Sequence, residues 1–380
     1  MNLELSADQE EVRRLARDFA EREVKPRAQA IDHTLEFPKD LVEKAGGLGF
    51  LGMLVPEVNG GTGLDHISFA LFIEEVARFS ASTAVILDVH TSVGTEPIVL
   101  FGTEEQKRRW LPGLAQGKPL AAFALTEPDA GSDAAHLSTA AIRRGGGYVI
   151  NGSKIFITNA GEAGCYIVMA TTRPGSGAEG VSAFIVRGDN PGMRIGPPFK
   201  KMGLNGSAIA EVFFSDCVVP EEDRLGAEGQ GFRIAMRALD SGRIGISAQA
   251  VGLAQGALDD AVAYARERKQ FGKPIGELQT IQNKLADMAV KVRAARWMTW
   301  HAAARCDAGL PFTKEASMAK LYSTDAAMEV TLEALQVFGG YGYLEEYPMA
   351  RRVRDAKACQ IYEGTNQIQR IVIAREVLSA

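Results

Sequence analysis

The chain has 380 residues, with 42 Lys plus Arg against 47 Asp plus Glu and a formal net charge of −5. At about 150 residues per domain this means two or three domains, large enough to fold around their own cores without disulfide or metal staples. The acidic balance argues against a nucleic-acid partner, which needs basic excess to neutralise phosphates, and 46% hydrophobic with 23% charged residues is ordinary for a soluble globular protein.

From Ser6, the residues Val12, Leu15, Ala16, Phe19, Ala20 and Val24 recur at three- and four-residue steps, which predicts an amphipathic helix. Ser6 with Gln9 spells a capping box, and Thr103 with Gln106 repeats it at a later helix start. Residues 1–118 read as a helical domain, broken at Pro56 and at the pair Gly60 and Gly61. Its longest apolar stretch, Ala81–Phe101, is interrupted by Asp88, His90, Glu96 and Pro97, so no membrane span is expected. The opening MNLELSADQEEVRR turns acidic before an apolar run forms, which argues against a secretory leader. Cys165, Cys217, Cys306 and Cys359 are too scattered for a zinc ribbon or a CxxC redox site. Together these features predict a cytoplasmic protein.

Near Leu120 the texture changes. Residues 148–150, the dipeptide Asn151-Gly152 and residues 153–158 read as a hairpin, with further strands at 165–171, 181–187 and 209–219. Residues 119–228 are thus expected to form a small antiparallel β domain. After Gly231 the helical period returns. Ile281, Leu285, Met288, Val292 and Ala295 keep one stripe over four turns, while Pro274, Pro311 and residues 339–342 separate long helices. Residues 229–380 are expected to form a helical bundle, making the whole an α+β multi-domain chain.

Some motifs fail their context. Residues 47–52 spell GxGxxG, but a helical segment precedes them and Pro56 follows, so tight helix–loop packing is the expected role. Gly117-Lys118 and Gly272-Lys273 both run into proline, so neither is a phosphate loop. The five histidines lack ligand spacing, and no metal is expected; no GxSxG elbow occurs.

Three segments combine chemistry. Residues 123–133, FALTEPDAGSD, mix small residues, hydroxyls and glycine, which suits either a turn-rich linker or a backbone that approaches a ligand. Residues 154–159, KIFITN, are a strand ending in an aromatic and a hydroxyl. Residues 361–370, IYEGTNQIQR, place Glu363 between an aromatic and a glycine ahead of a helical run. By itself that carboxylate suits the positive end of a helix dipole.

Taken in order and spacing, ALTEPDAGSD and IYEGTNQIQR resemble the acyl-CoA dehydrogenases, and the likeness extends over nearly the whole chain. Residues 240–243 (DSGR), 268–272 (RKQFG) and 336–340 (QVFGG) add to it. The resemblance implies a helical N-terminal domain, a β-barrel-like middle domain and a C-terminal four-helix bundle, assembled as a homotetramer, a dimer of dimers. It implies FAD as cofactor, an acyl-CoA substrate desaturated between its α and β carbons, and an electron-transferring flavoprotein as partner. Glu363 would be the base. Phe123, Leu125, Thr126 and Ser132 would meet the flavin edge and pyrophosphate. Phe156, tryptophan in many members, would pack on the ring, and Thr158 would bond near N5. Arg268, Phe271, Gln279, Gln336, Gly339 and Gly340 would reach the diphosphate and adenosine across a subunit interface, with Thr365 and Gln367 completing the cofactor set. Ser132, Asp240, Arg243, Tyr362 and Gly364 would touch the acyl-CoA. Some relatives carry their base beside the Arg243 position, where this chain has Gly242. The run 242–246 (GRIGI) resembles short-chain and short-branched-chain members. An acyl-CoA oxidase using oxygen and a non-catalytic acyl-CoA-binding scaffold are the alternatives.

Overall fold

Helix starts fall where the caps stand. The computed structural model describes residues 4–379, so the first three residues of the stretch read for a leader lie outside the described residues. The Gln9 N–H donates to the Ser6 hydroxyl at 3.2 Å and the Ser6 N–H donates to the Gln9 side chain at 3.0 Å, opening α1 (Ala7–Phe19). Then follow α2 (Ala28–Thr34), α3 (Lys39–Gly47), α4 (His66–Ala77), α5 (Ala81–Val89) and α6 (Glu96–Phe101). The second capping box, at Thr103 and Gln106, opens α7 (Glu104–Ala115). A π-helical turn, His90–Thr95, joins α5 to α6. Ala81–Phe101 is therefore one continuous helical path, long and apolar enough by length and composition to cross a membrane; 83% of its most apolar window is buried inside the protein instead. The GxGxxG letters end α3 and form a tight turn, Phe50–Gly52, where a Cβ on Gly52 would press on Ala115 of α7. That is helix–loop packing, as expected.

The middle region carries β1 (Leu120–Ala124), β2 (Ala140–Arg144), β3 (Gly147–Thr158), β4 (Ala163–Thr171), β5 (Val181–Arg187), β6 (Met193–Ile195), β7 (Ile209–Pro220) and β8 (Arg224–Leu225). The sheet order is β6-β7-β3-β2-β4-β5-β8, with β1 added in parallel against β4 and the long pairings antiparallel. The expected hairpin at Asn151-Gly152 is corrected here. The chain runs straight through as β3, and Gly152 marks a register shift against β7. A Cβ there would stand 2.7 Å from the Thr139 backbone, so glycine serves a close approach of two chains, not a turn. The reversal is at Gly145 and Gly146, both with positive φ, which joins β3 to β2, a strand the period reading missed.

The chain then returns to helix: α8 (Gly231–Glu267), a ribbon of β9 (Lys269–Gln270) and β10 (Lys273–Pro274), then α9 (Gln279–Asp307), α10 (Thr313–Phe338), α11 (Met349–Cys359) and α12 (Asn366–Leu378). Met288, Val292 and Ala295 are buried, with Ile281 and Leu285 packed at the cluster's margin. Helix α8 is the axis of the molecule. It packs on α4, α5, α9 and α10, and every residue from 240 to 254 is buried.

Candidate active site

On α8, Gly242 and Gly245 share a face one turn apart. A Cβ on Gly242 would collide with Oε2 of Glu363, and a Cβ on Gly245 would collide with Oδ1 of Asp88. Glycine at these positions lets two carboxyl groups, one from α5 and one from the link before α12, lie against bare helix backbone.

Glu363 has φ 52°, in the left-handed region. For a residue with a Cβ this costs about 1–2 kcal/mol, so surrounding contacts must hold it. They are present. The Gln369 amide donates to the carbonyls of Glu363 (3.2 Å) and Gly364 (2.9 Å). The Lys320 ammonium donates to the Gly364 carbonyl (2.8 Å) and to Asn366 Oδ1 (2.9 Å). The Ile368 N–H donates to the Thr365 hydroxyl at 3.3 Å, capping α12.

The result is a carboxyl with nothing bonded to it. Both Glu363 oxygens are shut off from solvent and have no hydrogen-bond partner. Burial raises its pKa to about 7, against the opposing pull of Arg243 and Lys320. Arg243 is buried, which excludes the surface ion pair that a lone arginine suggests; it donates to Asp240 Oδ1 at 2.6 Å, and Asp240 accepts the Thr313 hydroxyl at 2.6 Å. The Tyr362 hydroxyl donates to Gln249 Oε1 at 2.5 Å, and burial pushes that phenol well above its usual range.

A second group forms around the loop after β1. Glu127 is buried and accepts from the Ser138 N–H and hydroxyl, the Thr139 N–H and the Lys154 ammonium, at 2.6–3.0 Å. Burial would raise its pKa, but Lys154 and Ser138 bring it down to about 2. Lys154 also donates to the Leu125 carbonyl, and the Ile155 N–H to the Thr126 carbonyl, so β3 fixes the course of 125–127. Leu125 is buried and Phe123 and Thr126 are half-buried. Phe156 is 63% exposed on backbone of φ 59°, its ring 5.7 Å from that of Phe199, and Thr158 follows on the same strand. Ser132 is exposed farther along the loop.

The remaining expected residues are divided. Arg268, Phe271, Gly339 and Gly340 line one cavity of about 510 Å³ together with Phe338 and Tyr341. Phe271 is 89% exposed at φ 53°, and the Arg268 guanidinium lies 5.3 Å from the Tyr341 ring centroid. Gln279 and Gln336 do not line the cavity; their chain neighbours Leu278 and Val337 do. Gln367 is exposed on the first turn of α12.

Family comparison decides the identity. The N-terminal, middle and C-terminal domain families of acyl-CoA dehydrogenase match residues 6–118, 122–217 and 229–378. The chain belongs to the acyl-CoA dehydrogenase family. An acyl-CoA dehydrogenase of Bacillus subtilis (strain 168) is 51% identical over 376 residues, 99% of each chain. The solved butyryl-CoA dehydrogenase of Megasphaera elsdenii matches with TM-score 0.98 and 46% identity over all of both chains. A chain in the structure described as the electron-transferring flavoprotein of Acidaminococcus fermentans matches with TM-score 0.99 and 46% identity, again over all of both.

Like its family, this acyl-CoA dehydrogenase is an oxidoreductase with FAD as cofactor. The residues present fit that group. Phe156 offers an exposed flat apolar surface on β3, the strand that carries Thr158, while the 510 Å³ cavity combines an arginine, aromatic walls and open space over Gly339 and Gly340. Several polar residues of the site escaped the sequence reading: Asp88, Gln249, Lys320 and Gln369, all buried. Asp88 and Gln249 stand in helical runs otherwise rich in small and apolar residues, which was the one available signal for them, and Asp88 was read only as a break in a membrane-like stretch.

Proposed function

We propose that the protein desaturates short acyl-CoA thioesters to trans-2-enoyl-CoA, with Glu363 removing the α proton. The observation that carries this is the Glu363 carboxyl, held on left-handed backbone, closed off from solvent and bonded to nothing, against bare helix at Gly242. An α proton beside a thioester is weakly acidic, so a base must be positioned and raised above ordinary carboxylate strength. Burial does the raising, to about 7, while Arg243 and Lys320 keep the ionised form accessible. The backbone N–H of Glu363 is the candidate donor to the thioester oxygen, where charge gathers as the proton leaves. Bound FAD supplies the acceptor for the hydride that departs the β carbon.

For the cofactor, Phe123, Leu125, Thr126, Phe156 and Thr158 would flank the ring system and Ser132 the pyrophosphate. Arg268, Phe271, Gly339 and Gly340, with Gln279 and Gln336 beside them, would take the adenosine diphosphate end of a neighbouring subunit's FAD, and Thr365 and Gln367 would complete the set. On the substrate side, Asp240 and Arg243 act as one buried pair, with Ser132, Tyr362 and Gly364 around the acyl-CoA. Support for short chains comes from the likeness to butyryl-CoA dehydrogenase. The likeness to the flavoprotein-structure chain supports an electron-transferring flavoprotein as acceptor. A homotetramer fits a cavity that lies open at Phe271 and Tyr341, and a cytoplasmic setting fits four free cysteines.

Anaerobic mixing of the FAD-loaded enzyme with straight acyl-CoA thioesters of increasing length tests this, with bleaching of the yellow flavin as readout. Glu363→Gln should keep its flavin colour and lose turnover by at least ~100-fold. Near-normal turnover in that variant would dismiss the base. Peroxide in step with turnover in air would make the enzyme an oxidase.

A further inference from the structure

Asp88 lies in the last turn of α5 with no solvent exposure. Its Oδ1 rests on Gly245 and accepts the Ser92 hydroxyl at 3.0 Å, while its Oδ2 is buried with no partner. Apolar side chains share this part of the fold: Val85, Val89 and Val93 pack with Ile246 and Tyr362 in one cluster. A buried carboxyl with an unmatched oxygen is costly, and the valines on the same helix show that aliphatic residues suit this environment.

The glycine face ties Asp88 to the base. Gly242 and Gly245 are one turn apart, so the carboxyls of Glu363 and Asp88, each resting on one of them, are roughly 5–6 Å apart. Val93 borders the same strip, 3.0 Å from where a Gly242 Cβ would sit. The charged groups around the pair are Arg243 and Asp240 on α8 and Lys320 on α10, with the Tyr362 phenol beside them. Burial, and then the charge of Glu363, push the Asp88 carboxyl well above its ordinary range. Its protonated form has an O–H to donate and a carbonyl oxygen to accept, and its ionised form can pair with an ammonium group.

We propose that Asp88 is a specificity-determining residue of the acyl pocket, hydrogen-bonding a hydroxyl or amino substituent on the fourth or fifth carbon of the acyl chain. The inference rests on Glu363 being the base, since that fixes where the α carbon lies. From the α carbon, a substituent on those carbons extends roughly 4–5 Å, enough with one hydrogen bond to bridge the interval between the two carboxyls. The substrate class is then a short, ω-polar acyl-CoA, desaturated by the same proton and hydride removal as a plain one.

The test uses the FAD-loaded enzyme under anaerobic conditions, with kcat/KM read from flavin bleaching. The thioesters are butyryl-, pentanoyl-, 4-hydroxybutyryl-, 5-hydroxypentanoyl- and 5-aminopentanoyl-CoA. The wild type should prefer a substituted thioester over the plain one of equal length by ~10-fold or more, and Asp88→Val should cut that ratio by ~10- to 100-fold. Asp88→Asn, which keeps both a donor and an acceptor, should retain the hydroxyl preference and lose the amino preference; it also serves if the valine variant does not fold. Equal or better use of plain thioesters by the wild type, or an unchanged ratio in Asp88→Val, would overturn the role of Asp88 while leaving the base intact. Bleaching by none of the five would overturn the base and this inference together.

Discussion

Glu363 occupies a place that disfavours its own charge, and two measurable effects follow. With its carboxyl at about 7, the fraction able to accept a proton grows tenfold per pH unit below that value and then levels. The profile of kcat/KM should therefore rise through about pH 7 and flatten above it, measured with butyryl-CoA at constant ionic strength. The stability effect has the opposite sense. A carboxyl whose folded pKa is raised favours the fold at low pH, and that benefit is lost as pH rises from its unfolded value near 4.5 through about 7. Glu363→Gln removes the buried charge, so it should melt higher than the wild type at pH 8, by on the order of 3 kcal/mol, with the gain shrinking towards pH 5. A melting series across that range checks it. Glu363 could be singled out because it stands in a run of ten residues with a distinctive order. Asp88 and Lys320 could not, since an isolated polar residue in a helix reads the same whether it faces a ligand, a partner or a core. Only the fold brings α5, α8, α10 and the link before α12 to one place.

At the scale of elements, the site depends on a helix that omits side chains where two acids approach. Gly245→Ala would drive a methyl group into the fully buried Asp88 carboxyl, and should destabilise by about 1–3 kcal/mol in thermal melts. Gly47→Ala is the control: nothing lies within 4 Å of its Cβ position, so the substitution should be neutral or slightly stabilising. The strands teach a related lesson about glycine. Asn-Gly between apolar runs is a turn signal because glycine adopts φ values that side chains avoid. At Gly152 the same freedom, φ 143°, serves a crossing beside Thr139, and the strand continues for six more residues. Local sequence holds no information on which chain will pass alongside. Gly145, Gly146 and Gly147 stand where the reversal occurs, but the five residues of β2 alternate too briefly to announce a strand. By contrast, both capping boxes were readable because each is a closed set of bonds within four residues.

For the whole molecule, the order helical, sheet, helical was legible from changes of period alone, because each region is longer than several turns or strands. How the regions interlock was not. Helix α8 is synthesised well after the first region, yet it lies against α4 and α5 from that region. Ala81–Phe101 has the length and composition of a bilayer-crossing segment and is kept inside by these neighbours. During translation this segment leaves the ribosome some 130 residues before its cover is made, so the nascent chain carries a sticky, lipid-like surface for seconds. A fragment stopping at residue 230 should accumulate in the pellet or in detergent micelles when expressed alone, whereas the full chain stays in the supernatant. Folding in the cell thus depends on holding this chain apart from membranes and from other copies until its C-terminal half arrives.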